Sequence, residues 1–298
     1  MKVTKYMVTD VFTSQALSGN ALAVVLDGAG MDEPTMQSIA REFNLSETAF
    51  VHRRTAEIEA MEGVRVRIFT AREELNFAGH PTLGTASVLR SEAPETVRDN
   101  TVTLALNVGA VPVRFHGDSN FGEMTQKDPV FGIKLDRQRV AELTSLKVED
   151  LDADRAPQVV STGTSFVIVL LKSADALASL RVVQSEATAW LRQNDARWFY
   201  VLGPTGKTAA SGEPEFRARM QCYGGEDPAT GSAAGCAISY LVATGAAESG
   251  RRVLIRQGVE ISRPSELYLS AKQDGTNITD VRVGGSTVLA ATGQLFLP

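Results

Sequence analysis

Cysteine, long apolar runs and basic clusters are what this sequence has least of. Only two cysteines occur in 298 residues, Cys222 and Cys236. They are not in CxxC spacing, so neither a zinc site nor a redox pair is indicated. A reduced, cytoplasmic setting is therefore expected, and the sequons at Asn44 and Asn277 are chance matches. The run FVIVLL at 166–171 is among the longest apolar stretches and is far too short to span a bilayer. The opening MKVTKYMVTDVF lacks the apolar core and cleavage site of a signal peptide, so no leader and no membrane partner are expected. The net charge of −5 and an aromatic content of 6% leave no basic stripe interleaved with aromatics. Nucleic acid is therefore not an expected partner. GxGxxG, GxSxG and HExxH do not occur, and GGEDPATGSAAG lacks the lysine of a Walker A loop. No metal-ligating cluster stands out.

What is there is an ordinary globular composition, 43% hydrophobic and 22% charged. The length suits one large domain or two ordinary ones with a substantial core. VTDVFT (8–13) and ALAVVL (21–26) read as strands. In MDEPTMQSIAREF, Pro34 suits a first helical turn. Met36, Ile39, Ala40 and Phe43 fall on one helix face, with an end expected near Asn44. TAFV (48–51) and VRVRIFT (64–70) are strands, and a helix carrying Thr85 to Leu89 follows NFAGHPTLG. Residues 91–100 read as a polar loop, 101–106 and 109–115 as strands, and 117–129 as an irregular boundary. VVSTGTSFVIVLL (159–171) reads as strand, turn, strand. A helix is expected near 184–195, then a strand WFYVLG (198–203), a loop over 203–214, the strand FRARMQCY (216–223), and a loop into a helix at DPATGSAAGCAISYL.

The second half repeats the plan of the first. HPTLGTA aligned with DPATGSA pairs His80 with Asp227, and GNALAVVL aligned with GTSFVIVLL pairs Gly19 with Gly163. The two offsets are nearly equal and close to half the chain. A duplicated α/β unit is expected, at a period far longer than a solenoid repeat. Two facing copies would make a cleft, a usual ligand site.

Each echo puts a titratable residue before a proline with small residues after it. His80-Pro81 and Asp227-Pro228 both read as a cap followed by proline at the first helical position. Free N–H groups and the positive helix end favour an anion there. The spacing is equally compatible with plain capping by Asp227 and with a hydrogen-bonded structural His80. Glu47, in NLSETAF, reads as lying in a short connection. It is either a solvated loop residue or, between Leu45 and Ala49-Phe50-Val51, a partly buried carboxyl whose raised pKa would suit proton transfer.

These stretches resemble the PhzF-type phenazine-biosynthesis isomerase family, related in fold to diaminopimelate epimerase. The resemblance spans nearly the whole chain, through DVFT…GNALAVV (10–25), IAREFNLSETAFV (39–51), IFTAREELNFAGHPTLGTA (68–86), GGEDPATGSA (224–233) and VGGSTVLAATGQLFL (283–297). It implies an α+β fold of two pseudo-symmetric domains, each a β-barrel-like sheet around a central helix, with the active site between them. Residues 1–118 would form the N-terminal domain, with strand 287–298 a candidate to complete it, and 119–286 the C-terminal domain. The resemblance also implies a cofactor-independent isomerase, often a homodimer, acting on a small carboxylated substrate such as trans-2,3-dihydro-3-hydroxyanthranilate. By position, Glu47 matches the general acid/base. His80 and Asp227 match the polar pair facing the substrate, and Gly79, Gly231 and Ser232 match positions that hold its carboxylate. The family's racemase relatives use two facing cysteines where this chain has His80 and Asp227. Two alternatives stay open on the sequence: an amino- or hydroxy-acid racemase or epimerase without catalytic cysteines, and a non-catalytic small-molecule binding protein.

Overall fold

The structure is a computed structural model that describes residues 2–222 and 225–297. Met1, Tyr223, Gly224 and Pro298 lie outside the described residues. They include the end of the FRARMQCY strand, the first glycine of GGEDPATGSA and the last residue of the closing strand. The chain divides into two compact units, one of residues 1–125 with 284–298, the other of 126–283.

The first unit contains β1 (Lys2–Val11), β2 (Asn20–Val25), α1 (Glu33–Phe43), β3 (Glu47–His52), α2 (Ala56–Glu62), β4 (Val64–Phe69), β5 (Glu74–Leu75), α3 (Gly79–Glu92), β6 (Thr101–Leu106), β7 (Gly109–Phe115) and β8 (Phe121–Thr125). The second contains β9 (Val130–Lys134), α4 (Arg137–Thr144), β10 (Gln158–Ser161), β11 (Ser165–Leu170), α5 (Gln184–Gln193), β12 (Trp198–Thr208), β13 (Pro214–Arg219), β14 (Gln221–Cys222), β15 (Gly225–Glu226), α6 (Gly231–Ala243), β16 (Val253–Gln257) and β17 (Ser265–Asp274). A long last strand, β18 (Asn277–Leu297), begins in the second unit and ends in the first.

In the first unit the strands run β1-β2-β3-β4-β6-β7-β8-β18, and β18 pairs back with β1, so eight strands close into a barrel. Closure removes the exposed edges that an open sheet presents. Helix α3 fills this barrel. Every residue from Gly79 to Leu89 except Ser87 is buried, as expected of a helix with no solvent face. Its fit depends on Gly84, where a Cβ would come within 2.7 Å of both Leu22 and Val11 side chains. Helix α1 packs outside. Asp32 caps it by accepting the Thr35 N–H at 2.9 Å, and Asn44 ends it in the left-handed conformation (φ 50°). Met36, Ile39 and Ala40 are buried against Val25, Phe50 and Phe69.

The second unit strings β9-β10-β11-β12-β13-β16-β17-β18 around α6, which is buried along Ala233 to Val242 and touches β10, β11 and β17. Helices α4 and α5 cover a separate core that includes Val140, Leu143, Leu191 and Phe199. The repeat expected from the sequence reappears in the pairing pattern. In the first unit β2–β3 is parallel, β3–β4 antiparallel, β4–β6 parallel and β6–β7 antiparallel. In the second, β11–β12, β12–β13, β13–β16 and β16–β17 follow the same order. Each parallel pair needs a crossover. The buried helix of each unit, α3 or α6, supplies the second one.

Several local readings change. Phe121–Thr125 is a strand within the stretch read as irregular, and β12 continues to Thr208 through what was expected to be a loop. Helix α3 extends to Glu92, into the expected polar loop. Glu47 is the first residue of β3 rather than part of a connection, because parallel pairing with Leu22 draws it into the sheet. Neither proline of the echo motifs stands at a first helical position. Helix α3 starts at Gly79, one residue before His80, so Pro81 is third in the helix. Proline is tolerated there because the amides of the first turn have no intrahelical acceptor anyway. Helix α6 starts only at Gly231, leaving Asp227 and Pro228 in a turn ahead of it, and Thr230 rather than Asp227 takes the cap position.

Candidate active site

In the first unit three side chains meet at the start of α3. Asp10 accepts the Leu17 N–H at 2.6 Å and so pins the turn that leads to Asn20. Gly19 precedes Asn20 at φ +64°, where a Cβ would lie 2.3 Å from the Val11 carbonyl oxygen, so only glycine fits. Asn20 opens β2 and reaches the imidazole of His80, with Nδ2 3.3 Å from Nδ1. On the other side of the ring, His80 Nε2 lies 3.4 Å from Glu47 Oε2. The His80 side chain is 4% exposed and that of Glu47 16%, so the carboxylate is the accessible member of the pair.

Burial pushes the His80 pKa down to about 3, so the imidazole is neutral at ordinary pH. Its place in the first turn of α3 acts in the same direction, since the positive helix end disfavours imidazolium. A charged Glu47 opposes both, but a single contact at 3.4 Å does not offset complete burial. A neutral imidazole carries one proton. The Asn20 amide donates to Nδ1, which leaves the proton on Nε2, on the Glu47 side of the ring but not aligned on the carboxylate oxygen. The arrangement is a carboxylate 3.4 Å from a neutral imidazole, and it can take and return a proton without a change in the charge of the histidine.

The second unit contributes a different construction. Asp227 lies in the turn between β15 and α6. Its Oδ2 accepts the Thr230 hydroxyl at 2.6 Å, and its N–H donates to the Met220 carbonyl at 3.0 Å. The first bond that closes the helix runs from the Ala234 N–H to the Thr230 carbonyl, so the amides of Gly231 and Ser232 belong to the unsatisfied first turn. Those amides, the helix dipole and the Ser232 hydroxyl can hold an anion. Gly79 opens α3 in the same way in the first unit.

The duplicated register also shows an asymmetry. Leu22 of β2 pairs with Glu47, while the corresponding Phe166 of β11 pairs with Trp198. The carboxylate therefore occurs in one copy of the repeat and an indole in the other. The cysteines are poor acid/base candidates. Cys236 is fully buried inside α6, which pushes its thiol up to about 11. Cys222 lies in β14. Among the described residues no helix is long and apolar enough to cross a membrane.

Sequence reasoning named Glu47, His80, Asp227, Gly79, Gly231 and Ser232. The first unit brings Glu47 and His80 together, and the second groups Asp227 with Gly231 and Ser232 along one turn. Asn20, the neighbour of His80 Nδ1, was not among those named. It stood within the quoted GNALAVV, but its partner is 60 residues away, and no local pattern announces such a contact.

Comparison with known proteins places the chain in a family. The family model "Phenazine biosynthesis-like protein" matches residues 9–293. A trans-2,3-dihydro-3-hydroxyanthranilate isomerase of Pseudomonas aeruginosa is 35% identical, covering 98% of this chain and 99% of the relative. A solved Pseudomonas aeruginosa protein described as a "Predicted Epimerase" is 33% identical with a TM-score of 0.82, covering 99% of this chain and 100% of that one. A probable proline racemase from Agrobacterium radiobacter, 10% identical with a TM-score of 0.66, covers 99% of this chain and 93% of its own; it shares the fold alone. The fold is thus the diaminopimelate epimerase-like one, and the chain belongs to the phenazine biosynthesis-like (PhzC–PhzF) family as one of its isomerases.

Proposed function

We propose that the protein isomerises a small carboxylated, cyclic substrate of the trans-2,3-dihydro-3-hydroxyanthranilate type by moving one proton through Glu47, without a cofactor. The observation that carries this is the Glu47–His80 pair at 3.4 Å, with His80 held neutral by burial. Glu47 as carboxylate removes a proton from an sp³ carbon of the substrate. The electron pair of that C–H bond shifts the adjacent double bond. The Glu47 carboxyl then returns the proton to a different carbon. Nothing is oxidised or reduced, and the enzyme ends as it began. His80, 3.4 Å away, offers a neutral Nε2–H that can donate to the carboxylate once substrate closes the site. Asp227 contacts the polar groups of the substrate, and the amides of Gly79, Gly231 and Ser232, with the Ser232 hydroxyl, hold its carboxylate. We propose a homodimer in the cytoplasm as the working form.

The direct test is incubation of the purified protein with that substrate in D₂O, followed by NMR. A shifted double bond with deuterium at the new C–H position supports the reading. Full conservation of the substrate over many enzyme equivalents contradicts the substrate assignment. A second reading, an epimerase of an amino or hydroxy acid, is favoured by the name of the 33% identical solved relative. It predicts deuterium at a stereocentre with inversion and no migration of unsaturation.

A further inference from the structure

Behind Asp227 lies a buried hydrogen-bond chain that begins two strands away. Tyr200 in β12 and Gln257 at the end of β16 are both fully buried. The Tyr200 hydroxyl is 3.0 Å from Gln257 Oε1. Oε1 also accepts the Thr230 N–H at 3.2 Å. Gln257 Nε2 donates to the Asp227 carbonyl at 2.8 Å and lies 2.9 Å from Thr230 Oγ1. Both amide protons and both Oε1 lone pairs of Gln257 are therefore used.

The direction of every proton in this chain follows. A backbone N–H can only donate and a carbonyl can only accept, so Thr230 N and Asp227 O together fix which end of the Gln257 amide is which. Oε1 has no proton, so Tyr200 donates to it. Thr230 Oγ1 accepts from Nε2, so its own proton points elsewhere. The acceptors available to it are Asp227 Oδ2 at 2.6 Å and the Met220 sulfur at 3.3 Å. Sulfur accepts weakly and a carboxylate strongly. The chain thus runs one way, Tyr200 to Gln257 to Thr230 to the carboxylate of Asp227. The same amide clamps the turn at the Asp227 carbonyl and the Thr230 N–H. Gly258 follows Gln257 at φ +74° and lies so close to Pro228 that a Cβ would be 2.6 Å from its carbonyl oxygen.

We propose that Thr230, oriented by the buried amide of Gln257, is a positioning residue that keeps the Asp227 carboxylate ionised and aimed. Its relevance to turnover rests on the role given to Asp227 above. The charge of Asp227 in turn helps to hold the Tyr200 phenol protonated, adding to the larger effect of burial. The neighbouring charged groups on β13 and β15, Arg219 and Glu226, bond to each other at 2.6 and 2.9 Å.

The test compares Thr230→Val, which removes the hydroxyl at constant shape, with Thr230→Ser, which keeps it. The readout is the Asp227 carboxyl titration, followed by ¹³C NMR in aspartate-labelled protein and assigned with Asp227→Asn. Loss of a hydrogen bond to a charged group should raise the Asp227 midpoint by about one to two pH units in Thr230→Val. Thr230→Ser should titrate close to wild type. Thr230→Ala supplies the same comparison should the valine variant not fold. Titration of the hydroxyl-free variant at the wild-type midpoint, or an equal shift in Thr230→Ser, would overturn the chain. An Asp227 midpoint that moves while the acid limb of kcat/KM stays put supports the chain and removes Asp227 from the reaction. The two ideas therefore fail separately.

Discussion

Acidification should destabilise this protein through two histidines, the buried His80 above all and the partly buried His52 in the same direction, before general acid unfolding begins. His80 has a folded-state pKa near 3 against 6.5 for a free imidazole, because burial penalises the charged form. A depressed pKa contributes stability that is complete above 6.5 and is lost as pH falls towards 3. At about pH 5 the unfolded chain has taken up the proton and the folded one has not. That point lies about 1.5 units below the unfolded value, which corresponds to about 2 kcal/mol at 1.36 kcal/mol per unit. The Glu47 carboxylate 3.4 Å away favours the charged ring, so this figure is an upper bound. The assay is urea unfolding of wild type and His80→Asn at about pH 7.5 and about pH 5. Each variant is compared with itself across pH, so the separate effect of the substitution on stability drops out. Wild type should lose about 1–2 kcal/mol more than the variant over this interval. An equal loss in both proteins would refute a neutral, buried His80, and with it the proton placed on Nε2.

Other outcomes follow from the same geometry. Asn20→Asp replaces the donor facing Nδ1 with an acceptor, so the His80 proton should move to Nδ1 or a second proton should bind; ¹⁵N–¹H spectra of the imidazole read this, and an unchanged Nε2–H tautomer would contradict the assignment. Gly258→Ala must place a Cβ 2.4 Å from the Arg263 carbonyl oxygen and 2.6 Å from that of Pro228 at φ +74°. It should lower stability by about 1–3 kcal/mol and reduce kcat more than folding loss explains, as thermal melts and kinetics on the folded fraction would show. Thiol alkylation of the native protein should leave turnover intact, because Cys236 is buried with its thiol pushed up to about 11; inactivation that tracks Cys222 modification would return a cysteine to the mechanism.

Much of the architecture was legible because it is written in local patterns. The helix face of Met36, Ile39 and Ala40 and the alternation in VRVRIF depend on neighbours in sequence, and they appear as read. The duplication was legible for the same reason, as two short echoes at one offset. What local pattern could not settle is how each echo folds. His80-Pro81 is helical and Asp227-Pro228 is not, although both are a polar residue before proline. The difference in the second unit lies with Gln257, which bonds the Asp227 carbonyl and the Thr230 N–H from 30 and 27 residues away. Tyr200 and Asn20 were invisible as site residues on the same ground. Glu47 was singled out but placed in a connection, because the parallel strand that recruits it, β2, lies beyond an intervening helix.

The central claim is that Glu47 carries the proton. Glu47→Gln keeps the shape and a hydrogen-bonding end beside His80 but cannot act as a base. The decisive measurement is single-turnover isomerisation of trans-2,3-dihydro-3-hydroxyanthranilate by this variant, alongside its affinity for the same compound by calorimetry. Turnover should fall by at least about 10²–10⁴-fold, the range of general acid–base catalysis, with affinity within a few-fold of wild type. Turnover at the wild-type rate, with the compound bound, would contradict the account.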